Sequence, residues 1–194
     1  MKRIIPFLFE KHANLSSFFS GCLLPFAFAP HYYWALAILC PCGLLLTCIS
    51  NTGFATTKQI FLRGLLFGIG YFVIGLSWIF ISIHRFGNTN IFLAVLITAL
   101  FIIILDTYTA LHIYTVSKLP LRLIWISFPA AGMLLEWVRG WAFSGFPWLL
   151  LGQSQTVGPF AGYLPIIGVY GTSFLLLTTS IFFFYIINIT IISI

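Results

Sequence analysis

Negative charge is almost absent from this chain: three acidic side chains, Glu10, Asp106 and Glu136, stand against nine lysines and arginines in 194 residues. Charged residues of both signs make up only 6% of the sequence and hydrophobic ones 61%, with a mean hydropathy of +1.10. That is too little charge to cover a water-facing surface, so a soluble domain is excluded. The bases are scattered and form no contiguous patch, which argues against a nucleic-acid partner and for anionic lipid headgroups. Internal repeats, a low-complexity linker and the alternation of barrel strands are also missing. Lys2, Arg3 and Lys11 precede an apolar run, but no small-x-small cleavage site follows it convincingly, so a removable signal peptide is not expected.

Metal and redox chemistry have little to work with. Cys22, Cys40, Cys42 and Cys48 all fall in apolar runs, where a thiol packs as a small apolar side chain. Cys40-Pro41-Cys42 has no neighbouring histidine or carboxylate to complete a site. No metal and no cofactor is expected.

What the chain has in abundance is long apolar runs. A hydrocarbon core of about 30 Å takes about 20 residues of helix, and backbone in lipid must be bonded internally. The runs therefore predict an all-α polytopic membrane protein, a bundle of about six helices with spans at roughly 13–30, 31–50, 60–83, 91–117, 121–141 and 165–192. Pro25 makes the first a broken or re-entrant helix. Between the fifth and sixth, the loop 139–164 is predicted to be interfacial or re-entrant. One membrane domain, with no soluble domain, is the expected organisation. Gly64-x-x-x-Gly68 and Gly168-x-x-Gly171 put small residues on single helix faces, where they permit close helix packing.

With these spans Lys2, Arg3, Lys11, Lys58, Arg63, Lys118 and Arg122 fall on one side of the membrane, and Arg85 and Arg139 on the other. By the positive-inside rule the N-terminus is cytoplasmic. The two bases that break the bias sit in the segments richest in non-apolar residues. One is Gly75-Leu76-Ser77-Trp78 with Ser82-Ile83-His84-Arg85-Phe86-Gly87; the other is the block Glu136 to Pro165, EWVRGWAFSGFPWLLLGQSQTVGPFAGYLP.

Glu136 and Arg139 are three apart, share a helix face and are expected to pair at the outer interface; ionisable groups at membrane depth are functional by default. A guanidinium there can hold a phospholipid phosphate in a bidentate way. Pro147 removes a donor and pushes Phe146 to extended backbone, which ends the helix near Gly145 and leaves Trp148 on an irregular loop. Trp137 and Trp141 are read as interfacial belt residues, Trp148 as part of a site. His84 and Arg85 close the third span on the same side and add a second cation there. Asp106, mid-span beside Thr107, Thr109 and His112, is expected to be protonated or hydrogen-bonded.

Several of these residues carry a family likeness. Arg139-Gly140-Trp141, Gly145-Phe146-Pro147-Trp148, Gly152, Ser154-Gln155 and Gly158-Pro159, with Ala27-Phe28-Ala29-Pro30, Trp34-Ala35-Leu36-Ala37 and the 75–78 and 82–87 segments, resemble the membrane domain of the bacterial apolipoprotein N-acyltransferases. The likeness runs in register over nearly the whole chain. It implies a multi-pass protein of the bacterial inner membrane and an enzyme class that moves an acyl chain from a phospholipid donor to the N-terminal amine of a diacylglyceryl-cysteine lipoprotein acceptor. In that family a cysteine thiolate attacks the phospholipid ester and the resulting thioester is passed to the amine.

The catalytic Glu, Lys and Cys belong to a periplasmic nitrilase-like domain that this sequence does not contain. The expectation is therefore a truncated enzyme: a membrane module, inactive alone, that binds or positions lipid substrates. Glu136, Arg139, Phe146, Trp148, Gln155, His84 and Arg85 are the candidate substrate-binding residues, and none is catalytic. Three other readings stay open at this stage: a subunit of a split acyltransferase whose nitrilase-like domain is a separate chain, a small-solute transporter suggested by Asp106, and a non-functional remnant.

Overall fold

The computed structural model describes residues 12–50 and 53–192, with side chains to 189. Lys2, Arg3 and Lys11, used above for orientation, lie outside the described residues, as does Glu10. Seven α-helices are described: α1 (Ala13–Leu23), α2 (Leu36–Cys48), α3 (Thr57–Gly75), α4 (Ser77–Ile81), α5 (Ile91–Ser117), α6 (Ile124–Arg139) and α7 (Leu164–Ile192). Between α2 and α3 lies a small antiparallel pair, β1 (Ile49–Ser50) and β2 (Gly53–Phe54), with Ile49 opposite Phe54.

Thr57–Gly75, Ile91–Ser117, Leu121–Arg139 and Ala161–Ile189 are long and apolar enough to cross a membrane, whereas Ala13–Ala27 and Leu36–Cys48 are shorter. The 13 residues of α2 rise about 20 Å, short of a core of about 30 Å. This helix is instead wrapped by protein, with every residue from Cys40 to Cys48 buried. In the first window α1 stops at Leu23 and a tight turn, Leu24–Ala27, carries Pro25. The window 60–83 is interrupted at Leu76: α3 ends, α4 lasts five residues, and a wide turn over Ser82–Phe86 holds His84 and Arg85.

Local chemistry explains the helix starts. Thr56 caps α3, its N–H donating to Gln59 Oε1 at 3.2 Å in a capping box. Asn90 caps α5, its side chain accepting the Phe92 N–H at 2.9 Å.

Neighbouring helices close a ring: α1 on α3, α3 on α5, α5 on α6, α6 on α7, α7 on α2, and α2 on α1. Gly64 and Gly68 allow the α3–α5 approach. A Cβ at Gly64 would lie 2.7 Å from Ala110 Cα, and one at Gly68 would run into the Asp106 carboxyl. Gly168 does something else. With φ at +69° and ψ at −178° it breaks α7 near its start, and no atom stands within 4 Å of where its Cβ would be. Outside the ring, large apolar side chains such as Leu96, Ile103, Ile126 and Ile166 are exposed, as lipid permits.

The two ends of the bundle differ. At one, Lys118 Nζ donates to Thr57 Oγ1 at 3.3 Å, bringing Lys58, Lys118 and Arg122 to the same end. At the other, Gly75 packs near Leu149 and Pro25. The 19 residues of α3 separate these ends by about 28 Å.

Candidate functional site

α6 is apolar through Leu135 and ends on Glu136-Trp137-Val138-Arg139. Helical spacing divides these four between two faces. Trp137 and, one turn on, Trp141 point outward, exposed and edge to face at 5.5 Å. Glu136 and Arg139 point inward, and Arg139 is only 4% exposed. Their hydrogen bonds go to the following loop rather than to each other. Arg139 Nη2 donates to the Leu149 carbonyl at 3.0 Å, and Glu136 Oε1 accepts the Leu151 N–H at 2.7 Å.

Two more helices reach the same strip of backbone. Tyr71 of α3 donates to the Leu149 carbonyl at 2.7 Å, and the Ser173 hydroxyl of α7 accepts the Gly152 N–H at 2.8 Å. A loop buried among helices has backbone donors and acceptors with no ladder to join, and these side chains supply the partners. That is the physical reason the expected Glu136–Arg139 pair is replaced by two separate bonds to main chain. The Arg139 guanidinium also lies over the Phe72 ring, 5.4 Å from its centroid.

The loop departs from helix earlier than Pro147 alone predicts. α6 ends at Arg139, a single turn follows at Ala142–Ser144, and Phe143, Ser144 and Gly145 all have positive φ. The Phe146 N–H donates back to the Arg139 carbonyl at 2.8 Å, closing this bend. After Pro147, Leu149 sits at φ +55°, a left-handed conformation that costs a branched residue about 1–2 kcal/mol. Its carbonyl is the one bonded by both Arg139 and Tyr71, so the strained residue is also the most firmly held.

Beyond it, Leu151–Gln155 form a tight turn packed on α7. Gln155 is fully buried, its Nε2 donating to the Trp34 carbonyl at 3.4 Å and to Ser154 Oγ at 3.2 Å.

Holding Leu149 to Gln155 inside leaves Trp148 outside, at 54% exposure. Its ring stacks on Phe146 at 5.7 Å and lies 6.4 Å from Trp78 of α4, while Phe146 meets Phe101 of α5 edge to face at 4.9 Å. An apolar groove of about 480 Å³ runs between α3 and α5, lined by Val73, Phe80, Thr98 and Ile102 among others. His84 is half-buried, stacked on Phe80 at 5.7 Å, with Nδ1 hydrogen-bonded to the Thr89 carbonyl at 2.8 Å. Arg85 is exposed. The ring contact joining this segment to the loop is made by Trp78.

In the middle of the ring a cavity of about 80 Å³ is lined by Tyr71, Tyr108, His112, Glu136, Arg139 and Leu151, with other residues from each neighbour. Glu136 Oε2 and Arg139 Nε have no protein partner. The volume exceeds the roughly 10–15 Å³ that one water needs, so solvent can complete both groups.

Asp106 packs on Gly68, outside this lining, and its Oδ1 is unpaired. The four cysteines are free thiols, and among the described residues no group of three His, Cys, Asp or Glu could hold a metal. The arrangement offers a positioned aromatic edge and an apolar groove. Tyr71 and Ser173 are the site residues that sequence reasoning missed. A phenol within the apolar run of α3 was a weak signal for the first; nothing distinguished the second.

A family model described as the apolipoprotein N-acyltransferase N-terminal domain matches residues 20–182. The chain is 40% identical over 160 residues to the apolipoprotein N-acyltransferase of Coxiella burnetii, covering 79% of this chain and 32% of that protein. With the apolipoprotein N-acyltransferase of Methylococcus capsulatus it shares 41% identity over 169 residues, 84% of this chain and 32% of the other. With that of Pasteurella multocida the identity is 32% over 174 residues, again 32% of the relative's length.

Proposed function

The chain belongs to the apolipoprotein N-acyltransferase N-terminal domain family, and on that premise we propose that it holds and orients lipid substrates for transfer of an acyl chain from a phospholipid to the N-terminal amine of a diacylglyceryl-cysteine lipoprotein. The observation that carries this reading is Trp148, exposed on a loop whose backbone is bonded by buried side chains of α3, α6 and α7. Pre-organised positioning of this kind is what a two-substrate transfer needs from a module with no reacting group of its own.

In this reading Trp148 and Phe146 meet the lipid, with their ring partners Trp78 and Phe101 adjoining the groove residues Ser77 and Ile102. Glu136, Arg139 and Gln155 act through the loop, as positioning residues. Arg85, exposed on the same end, supplies a cation for a headgroup phosphate, and His84 fixes the turn that carries it. The end bearing Lys58, Lys118 and Arg122 faces the cytoplasm of the inner membrane, since basic residues favour that side.

In this reading these residues bind lipid without transferring its acyl chain, and Glu136 spends one carboxylate oxygen on the Leu151 N–H. In a protein that joins this domain to the catalytic Glu, Lys and Cys of the family, Trp148→Ala is expected to slow acyl transfer by roughly ten- to a hundredfold with membrane insertion unchanged. Equal transfer by wild type and variant would return Trp148 to the interfacial belt.

A further inference from the structure

A second apolar groove, of about 510 Å³, starts at the basic end of the bundle and runs along α6, and it falls within the ~300–1,000 Å³ usual for ligand sites. It follows one face of α6 at helical spacing: Leu123, Ile126 and Ser127, Ala130 and Ala131, Leu134 and Leu135, with Thr115 and Leu119 lining its start. The two alanines make the floor, and Leu123, Ile126 and Leu134, all exposed, stand as walls. The twelve steps from Leu123 to Leu135 rise about 18 Å, close to the ~15 Å of one leaflet's hydrocarbon.

Two features make the groove more than a lipid-facing depression. Its mouth lies at the turn between α5 and α6, where Lys118 and Arg122 are both exposed. Within it, Ser127 is only 8% exposed and its hydroxyl has no partner, although a serine on a helix can usually bond back to a preceding carbonyl. The groove between α3 and α5 differs here, because its Thr98 hydroxyl is satisfied by the Ala94 carbonyl at 2.8 Å. Ser127 stands five residues in from Arg122, about 7–8 Å along the helix. That offset suits a glycerol ester carbonyl lying below a phosphate.

We propose that this groove binds one anionic phospholipid from the leaflet at the basic end. The lipid's phosphate sits on Lys118 and Arg122, its ester carbonyl accepts from Ser127 Oγ, and one acyl chain lies over Ala130 and Ala131. Such basic pockets between helices suit anionic headgroups. The headgroup end of this site lies at the opposite end of α6 from Glu136 and Arg139, and the site does not depend on the reading proposed for them.

The test places the 194-residue chain in nanodiscs of mixed phosphatidylglycerol and phosphatidylethanolamine, releases it, and counts retained lipids by native mass spectrometry. Wild type is expected to keep one phosphatidylglycerol. Lys118→Gln and Arg122→Gln, both on the surface, each weaken retention about fivefold, and Ala131→Leu removes it by filling the floor. A phosphatidylglycerol bearing a photoreactive group in mid-chain is expected to label α6 between Ile126 and Leu134. Ile166→Ala, exposed and outside both grooves, leaves both readouts unchanged. Retention indifferent to headgroup charge and to these variants overturns the proposal, as does a dimer that covers the groove and excludes lipid.

Discussion

Two helix contacts in this bundle are built on opposite principles. Where α3 meets α5 the surfaces are held by closeness: Gly64 and Gly68 remove side chains so that Ala110, Ile113 and Asp106 can approach the α3 backbone. At the ends of α6 and α7 that meet the loop the contact is polar instead: Glu136, Arg139 and Ser173 each bond a main-chain group between Leu149 and Gly152. Lipid gives helices no hydrophobic reason to associate, so both contacts draw on what remains, dispersion in one and hydrogen bonds in the other. The first needs a smooth pair of helices. The second tolerates irregular chain, and so it is where a strained residue and an exposed tryptophan can be supported.

Arg139→Ala should strike hardest at the polar contact. It leaves the buried Glu136 carboxyl without a neighbouring cation and takes one of two donors from Leu149, a loss on the order of 3 kcal/mol. Unfolding in mixed detergent micelles measures it, and a full enzyme carrying the change should lose acyl transfer as well. Gly64→Leu attacks the close contact, where the first added carbon already crowds Ala110 Cα. Overpacking predicts about 1–3 kcal/mol in the same assay, with the loop and any transfer activity less affected than by Arg139→Ala.

Tyr71→Phe separates the two principles within one helix, because it keeps the packing and removes only the donor to Leu149. A loss of about 1 kcal/mol is expected, accompanied by greater quenching of Trp148 fluorescence by water-soluble acrylamide as the loop loosens. Asp106→Asn should do least. The side chain keeps its shape against Gly68, and transfer in a full enzyme is expected to be unchanged; loss of a proton-coupled flux instead would revive the transporter reading.

The long helices could be read directly. α5 is a run of apolar residues opened by Asn90 and closed before Lys118, signals that act over a few residues and do not depend on what the helix touches. Gly64 and Gly68 were legible for the same reason, since four-residue spacing on a helix is a local fact. Gly168 was misread with them: whether a glycine packs or bends depends on its neighbours, and here there are none. The inner half of the site was harder still. Charge and prolines marked 136–155 as special, but an (i, i+3) pair of opposite charge suggested that Glu136 and Arg139 answer each other. The competing claim of the loop's own N–H and C=O groups cannot be seen in a string of letters.

Composition and apolar run length were enough to make this chain a helical membrane protein, because desolvating a backbone in lipid admits few other solutions. The spacing of its few polar residues was enough to say where a site is expected, since each is too costly at that depth to be incidental. Which of them are exposed and which hold the scaffold came only from the fold. Tyr71 and Leu149 are 78 residues apart, and no local rule brings a phenol on α3 to a carbonyl beyond α6. That meeting follows from the closure of the ring of helices, a long-range packing event in which each partner is chosen by all the others.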